Sequence, residues 1–284
     1  MFGLGYSARV LVDRLLPAGW TVRATARSPE KVSELRAAGI DSTQFDGTAP
    51  IPSIEALLDG VSHLLSSVPP GADGDPVLDQ HGGDIAAHAG HIDWAGYLST
   101  TGVYGDRAGG WVDETSDLVP ATQRGQRRVY AEAGWCELWR SSGLPVHLFR
   151  LAGIYGPGRN TLETVRKGNA RRVIKPGQVF SRIHVADIAT ILEASIARPD
   201  PGAAYNVCDD DPAPPQDVVA HACALLGVEP PPEIPFEKAE LSEMGRSFYA
   251  ESKRVSNDRI KNELGVSLAY PDYRGGLAAL LAET

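Results

Sequence analysis

The sequence predicts an α/β protein built on a doubly wound parallel sheet, with a smaller α+β lobe at the carboxyl end. Strand-like and helix-like segments alternate at short intervals through the first half, the pattern of parallel strands joined by crossover helices. A glycine-rich turn, Gly3-Leu4-Gly5-Tyr6-Ser7-Ala8, opens directly onto a helical stripe. After Gly153 the texture changes to turn-rich segments such as YGPGRN and KPGQVFSR between short helices, with proline gathered at 212–215 and 230–235. These changes predict a first domain over 1–153 and a substrate lobe over 154–284, some of whose segments cross back to the first.

Each element has a local cause. Apolar residues at 8, 11, 12, 15 and 16 form a helical stripe from Ser7 to Ala18, which Gly19 ends. Trp20 to Thr25 reads as a strand. Ser28-Pro29 is a cap followed by proline at the first helical position, opening a helix to about Gly39. Val61 to Val68 is a short apolar strand running into Pro69-Pro70-Gly71, and Trp94 to Ser99 is another. A long helix follows from about Pro120 to Ser142, then a strand from Pro145 to Leu151.

The opening turn lacks its strand, because only Met1 and Phe2 precede Gly3. In a doubly wound sheet the first strand is paired on both sides. Losing it strands backbone groups that cost about 1–3 kcal/mol each when buried and unpaired. The expectation is a truncated first strand, with the natural product starting a few residues upstream in an apolar strand ahead of Met1.

Composition narrows the function classes. Apolar residues make up 43% and charged residues 22%, ordinary for a globular protein. A net charge of −9 argues against a general nucleic-acid or anionic-membrane surface, and no apolar run approaches the roughly 18 residues of a membrane span. Cys136, Cys208 and Cys223 are scattered and in no C-x-x-C pair, which suits thiols in a reducing cytoplasm. His81, Asp84, His88 and His91 lie close in sequence but read as a solvated helix face, so no metal is expected.

Gly3 to Ala8 fits G-x-G-x-x-[GA], the turn that lays a dinucleotide pyrophosphate against a helix N-terminus, with Tyr6 and Ser7 as its intervening residues. The end of the next strand is where the ribose is read. It offers Ala26-Arg27-Ser28 and no carboxylate. A guanidinium beside a hydroxyl suits a 2′-phosphate, so NADP(H) is expected over NAD(H).

The run Tyr97-Leu98-Ser99-Thr100-Thr101-Gly102-Val103-Tyr104-Gly105 resembles the S-[ST]-x-x-VYG segment of extended short-chain dehydrogenases/reductases, the NAD-dependent epimerase/dehydratase group. RLAGIYGPGRN (150–160) resembles that group's LR-x-x-x-VYGPG loop, IHVADIA (183–189) its IHVDDVA, and Tyr205-Asn206-Val207 its YNV strand. These segments cover most of the chain in the right order. They are most similar to atypical members, which keep the Rossmann cofactor fold and vary the catalytic set.

The departure lies in the long helix. Family chemistry uses Tyr-x-x-x-Lys within Y-G-x-S-K-x-x-x-E, and the chain reads Arg124-Gly125-Gln126-Arg127-Arg128-Val129-Tyr130-Ala131-Glu132. Aligning the glycine and glutamate puts Arg124 at the tyrosine and Arg128 at the lysine. Arg128 can still hold a ribose hydroxyl or a phosphate, but a guanidinium with a pKa above about 12 is a poor proton shuttle. Tyr130 sits about 240° around the helix from Arg124, at 3.6 residues per turn. Thr100 keeps the family hydroxyl that bonds a substrate carbonyl or alcohol. Thr101 and Gly102 stand where dehydratases carry Asp-Glu.

Two functional readings follow from the resemblance. One is an oxidoreductase or epimerase whose proton donor is another residue, with Tyr104 and Tyr155 as candidates. The other is a catalytically silent NADP(H)-binding module with a redox-sensing or regulatory role. By the same resemblance Ser66, Ser67 and Val68 flank the adenine-ribose and pyrophosphate path. Leu151, Ala152, Gly153 and Ile154 line the nicotinamide, and Asp46 corresponds to the adenine-binding aspartate. Arg159 and Arg182 are the candidates for an anionic substrate group. The remaining expectations are a small-molecule substrate, no nucleic-acid or membrane partner, and a homodimer of the kind such enzymes often form.

Overall fold

The computed structural model describes residues 1–283. The chain divides into two units, one of Met1–Thr100, Gln126–Arg150 and Ala189–Tyr205, the other of Thr101–Gly125, Leu151–Ile188 and Asn206–Thr284. The second unit takes Thr101–Gly125 from the middle of the chain and returns 189–205 to the first, so the two match in length and interleave along the sequence.

The first unit holds the parallel sheet. Helix α1 (Tyr6–Leu15) buries Ala8, Leu11, Val12 and Leu15, the apolar stripe that predicted it. Strand β1 (Arg23–Ala26) pairs in parallel with β2 (Asp41–Gln44), Arg23 opposite Asp41. Between them α2 (Pro29–Ala37) starts at the predicted cap, where Ser28 Oγ accepts from the Lys31 amide at 3.3 Å. Helix α3 (Ile54–Leu58) leads to β3 (His63–Ser66), and α4 (Pro76–His88) leads to β4 (Trp94–Thr100). β3 and β4 pair in parallel, His63 opposite Trp94, and strands Val146–Leu151 and Ala204–Val207 extend the sheet beyond β4. Helix α5 (Gln123–Ser142) supplies Trp135 to a core with Phe2, Phe45, Ile54, Leu64, Val77, Ile85 and Tyr97.

Two readings of the sequence shift here. Residues 20–22 were expected in the strand, yet β1 begins at Arg23, where its β2 partner begins; Trp20 instead sets its ring edge-on to His63 at 4.7 Å. His81 is buried, not solvated. Its Nε2 accepts the Ile51 amide at 3.0 Å, and its Nδ1 lies 3.1 Å from Asp84.

Met1 to Leu4 run as a short extended stretch between β1 and β3. Phe2 bridges Ser66 in parallel, donates to the Leu65 carbonyl at 2.8 Å and accepts from the Ser67 amide at 2.9 Å. On the other side the Met1 carbonyl accepts from the Thr25 amide, and the Leu4 amide donates to the Thr25 carbonyl, both at 2.9 Å.

The second unit uses short parallel pairs: Gly153–Tyr155 with Arg182–His184, Arg172–Ile174 with Glu233–Pro235, and Trp111–Val112 with Arg254–Val255. Its core gathers Tyr155, Leu162, Val218, Ala222, Tyr273, Leu277 and Leu280. Among the described residues, no helix is long and apolar enough to cross a membrane.

Candidate functional site

The glycine turn is clamped from both neighbouring strands. Gly3 sits at φ +79°, donates its amide to Thr25 Oγ1 at 2.9 Å and accepts from Ser67 Oγ at 2.5 Å. A Cβ here would lie 3.0 Å from Val68 Cγ2 in a backbone region that side chains avoid, so only glycine fits. Gly5 is the N-cap of α1, and no side chain caps the helix. A Cβ built at Gly5 meets nothing within 4 Å, and the first turn holds no acidic residue. With no side-chain cap and no acidic residue in its first turn, this end of α1 carries the positive end of the helix dipole, which is the chemistry of an anion site. Ser7 and Ala8 are buried and Tyr6 half-buried, so the sequence positions matched to the fingerprint also seat the helix on the sheet.

Arg27 is exposed just past the end of β1. The hydroxyl of Ser28 already caps α2. Asp46 is exposed and closes a local turn, accepting from the Thr48 amide at 2.9 Å and its hydroxyl at 2.8 Å. Those bonds, the backbone one foremost, hold its pKa below the usual carboxylate range. Ser66 is buried, and its Oγ has no hydrogen-bond partner among the described residues.

The end of β4 and helix α5 are locked together. Thr100 closes β4 half-buried. Arg128 reaches back from α5, donating to the Leu98 carbonyl at 2.5 Å and to the Tyr97 hydroxyl at 3.1 Å, its guanidinium 5.6 Å from the Tyr97 ring centre. Burial pushes the Tyr97 hydroxyl well above its usual pKa. One turn further, Glu132 accepts from Ser99 Oγ at 2.5 Å and is held by the Arg150 fork. In the sequence Glu132 serves only to fix the register of the long helix. Its buried partner Arg150 opens the RLAGIYGPGRN segment, and that charge between apolar neighbours was the one available signal.

Arg124, at the position matched to the family tyrosine, is exposed and stands 5.6 Å over the Phe248 ring. Gly125 is required beside it, since a Cβ there would fall 2.6 Å from the Gly102 carbonyl. Tyr130 is 68% exposed, consistent with its rotation away from Arg124.

In the second unit the tyrosines proposed as proton donors are committed elsewhere. Tyr104 is fully buried and donates to Asn206 Oδ1 at 2.7 Å. Tyr155 donates to the Asp272 carbonyl at 3.3 Å, and burial raises its pKa. Leu151 and Ala152 are buried, Ile154 is half-buried and Gly153 exposed, with the Ala152 amide bonded to the Val207 carbonyl at 3.0 Å. Arg159 is exposed on the GPGRN loop. Arg182 instead points inward, donating to the Phe180 carbonyl at 2.8 Å and the Ala213 carbonyl at 3.1 Å.

Asp209, which no sequence signal marked, is buried near Arg182. Neither of its carboxylate oxygens has a hydrogen-bond partner among the described residues. Burial pushes its pKa up to about 8 against the pull of the Arg182 charge. Burial likewise pulls His184 down to about 4.

No family model matches the chain. It is 30% identical to protein YeeZ of Escherichia coli (strain K12) over 282 residues, 95% of each chain. A solved structure of a conserved protein of unknown function from Silicibacter pomeroyi DSS is 56% identical with a TM-score of 0.91, covering 99% of this chain and 97% of that one. A protein assigned as an NAD-dependent epimerase/dehydratase from Methylobacillus flagellatus is 25% identical with a TM-score of 0.74, covering 99% of this chain and 96% of that one. The chain is thus a relative of YeeZ, and with the glycine turn, the parallel sheet and the four motif segments in order it belongs to the NAD-dependent epimerase/dehydratase family of extended short-chain dehydrogenases/reductases.

Proposed function

We propose that the protein binds a nicotinamide dinucleotide, NADP(H) in preference to NAD(H), and acts as an oxidoreductase or epimerase on a small anionic molecule. The observation that carries this reading is the uncapped amino end of α1 opening onto free space behind a clamped Gly3. The amides of Ser7 and Ala8 and the helix dipole bind the pyrophosphate. Arg27 makes forked bonds to a 2′-phosphate, in place of the carboxylate that would take a 2′-hydroxyl. Bound there, the nicotinamide supplies or accepts a hydride. Thr100 holds the substrate carbonyl or alcohol, Arg128 steadies the end of β4 that carries it, and Arg159 attracts an anionic group. Family membership supports this oxidoreductase- or epimerase-like role. The free thiols of Cys136, Cys208 and Cys223 suit a reducing cytoplasm.

A second reading, a silent dinucleotide-binding module, is favoured by one observation. The hydroxyls of Tyr104 and Tyr155 are already donated within the protein, which agrees with the motif alignment that matches Arg124 and Arg128 to the family's Tyr and Lys. Calorimetric titration with NADPH and NADH tests the shared premise, and no heat with either overturns both readings. A panel of ketones, aldehydes and nucleotide-sugars, followed by nicotinamide absorbance, then separates them. Turnover lost in Thr100→Ala supports the enzyme; tight binding with no turnover supports the module.

A further inference from the structure

We infer that Arg182 anchors a small oxyanion and that Asp209 gates it: the anion is held while the Asp209 carboxyl keeps its proton and is displaced when that proton leaves. The inference rests on the reading of an anionic substrate, and it names the group that holds the charge and what regulates it. Both residues belong to the second unit.

The guanidinium is only half bonded. Arg182 opens the strand Arg182–His184 and is half-buried. Its Nη1 donates to the carbonyls of Phe180 and Ala213, two residues that themselves form an antiparallel bridge. Those two bonds hold the fork in place. Nε and Nη2 donate to no group among the described residues, and the side chain makes no ion pair there. Together they form one edge of the planar group, and such an edge grips two oxygens of a carboxylate or phosphate at once.

The charge of that fork lacks a counter-ion. The carboxylates acting on it most strongly are Asp209 and Asp211. Asp211 is already engaged, its Oδ2 lying 2.5 Å from Arg274 Nη1. Asp209 is tied to Arg182 through the backbone, its amide donating to the Arg182 carbonyl at 2.6 Å. Yet both of its carboxyl oxygens are buried with no hydrogen-bond partner among the described residues. An ionised carboxylate buried beside a guanidinium pairs with it, because a lone buried charge is costly. An unpaired carboxyl next to an unbonded guanidinium edge is therefore the neutral acid. Burial keeps it so, with a pKa of about 8. Tyr155 and Cys208 also face this carboxyl, and burial holds both of them neutral. Neither brings a cation that would ionise it.

The two states exclude each other. With Asp209 neutral, the full charge of Arg182 is open to an incoming anion. With Asp209 ionised, the chain supplies its own carboxylate at high local concentration, and that group takes the edge. The apparent Kd is then the intrinsic one divided by the neutral fraction of Asp209. That fraction is close to one at pH 6.5 and about a tenth at pH 9. Binding reciprocally draws a proton onto Asp209.

Sulfate is the probe, since it stays a dianion throughout, with sodium chloride balancing ionic strength. Calorimetry measures its affinity at pH 6.5 and pH 9, and titrations in two buffers of different ionisation enthalpy at pH 8 count the protons. The wild type is expected to bind about tenfold more weakly at pH 9, and to take up about half a proton per anion at pH 8. Asp209→Asn keeps a neutral side chain at every pH, so it is expected to bind alike at both and to take up no proton. Arg182→Gln is expected to lose the binding at both. Unchanged affinity in Arg182→Gln, the mark of an adventitious ion only, overturns the site. Equal wild-type affinity at the two pH values, or no proton uptake at pH 8, overturns the gate. If Asp209→Asn does not fold, the proton count on the wild type decides. No dinucleotide enters these titrations, so their failure leaves the cofactor reading standing, and a failed NADPH titration leaves this site standing.

Discussion

Arg150 Nη2 lies 2.8 Å from Glu132 Oε2, both side chains under a tenth exposed, and Ser99 Oγ completes the carboxylate's bonds at 2.5 Å. This pair fastens α5 to the strand Val146–Leu151 and to β4 one residue before Thr100, so a buried charge sets the position of the proposed substrate-binding hydroxyl. Removing one partner leaves the other buried and uncompensated. Glu132→Ala is expected to cost about 3–5 kcal/mol in urea unfolding. Replacing both residues by methionine is expected to restore most of that loss, and a double variant no better than the single one contradicts the account.

The two glycines of the opening turn separate folding from binding. Gly3→Ala places a Cβ at φ +79° against Val68 and is expected to destabilise by about 1–2 kcal/mol. Gly5→Ala meets no neighbouring atom, so its stability change stays within about 1 kcal/mol. That methyl projects in front of the α1 amides, and dinucleotide affinity is expected to fall at least about tenfold, or 1.4 kcal/mol. Melting curves and calorimetry on the two variants give the pair of answers.

Arg27 is exposed just past the end of β1, the position proposed to read the ribose, so on that proposal its removal acts on one coenzyme alone. Arg27→Ala is expected to weaken NADPH by about tenfold or more, the scale of a lost charge-assisted fork, and to leave NADH within about twofold. Equal weakening of both assigns Arg27 to general attraction, without discrimination.

Asp209 gives stability a definite pH dependence. Its pKa is about 8 in the folded protein against 3.8 for an ordinary aspartate. Between those values the native state keeps a proton that the unfolded state gives up. The contribution is therefore complete below about pH 4 and is lost progressively as pH rises to about 8. His184 and the Met1 amino group act oppositely, because burial lowers their pKa values to about 4 and about 5, and their contributions fade on acidification. The clean measurement is the stability of the wild type minus that of Asp209→Asn across pH 4 to 8. The difference is expected to fall steadily with pH, and a flat difference refutes the buried neutral acid.

Much of the fold is legible in local sequence. Ser28-Pro29 caps α2 and the stripe 8-11-12-15 is buried, because cap chemistry and 3.6-residue periodicity need no distant partner. Sites were harder to read. Arg182, a candidate for an anionic group, turns its Nη1 to the Phe180 and Ala213 carbonyls, and nothing in SRIHV signals the acceptor thirty-one positions on.

The sequence by itself determined the alternating α/β layout, the glycine turn and the family, all of which rest on residue identity and short-range spacing. Tertiary structure alone decided that Tyr104 donates a hydrogen bond to Asn206, 102 residues away, that Arg128 holds Leu98, that Asp209 is buried, and that the two units alternate along the sequence. The reason is physical. A side chain's free bonds and its pKa depend on which distant groups the packed chain sets beside it, and spacing along the sequence does not carry that information.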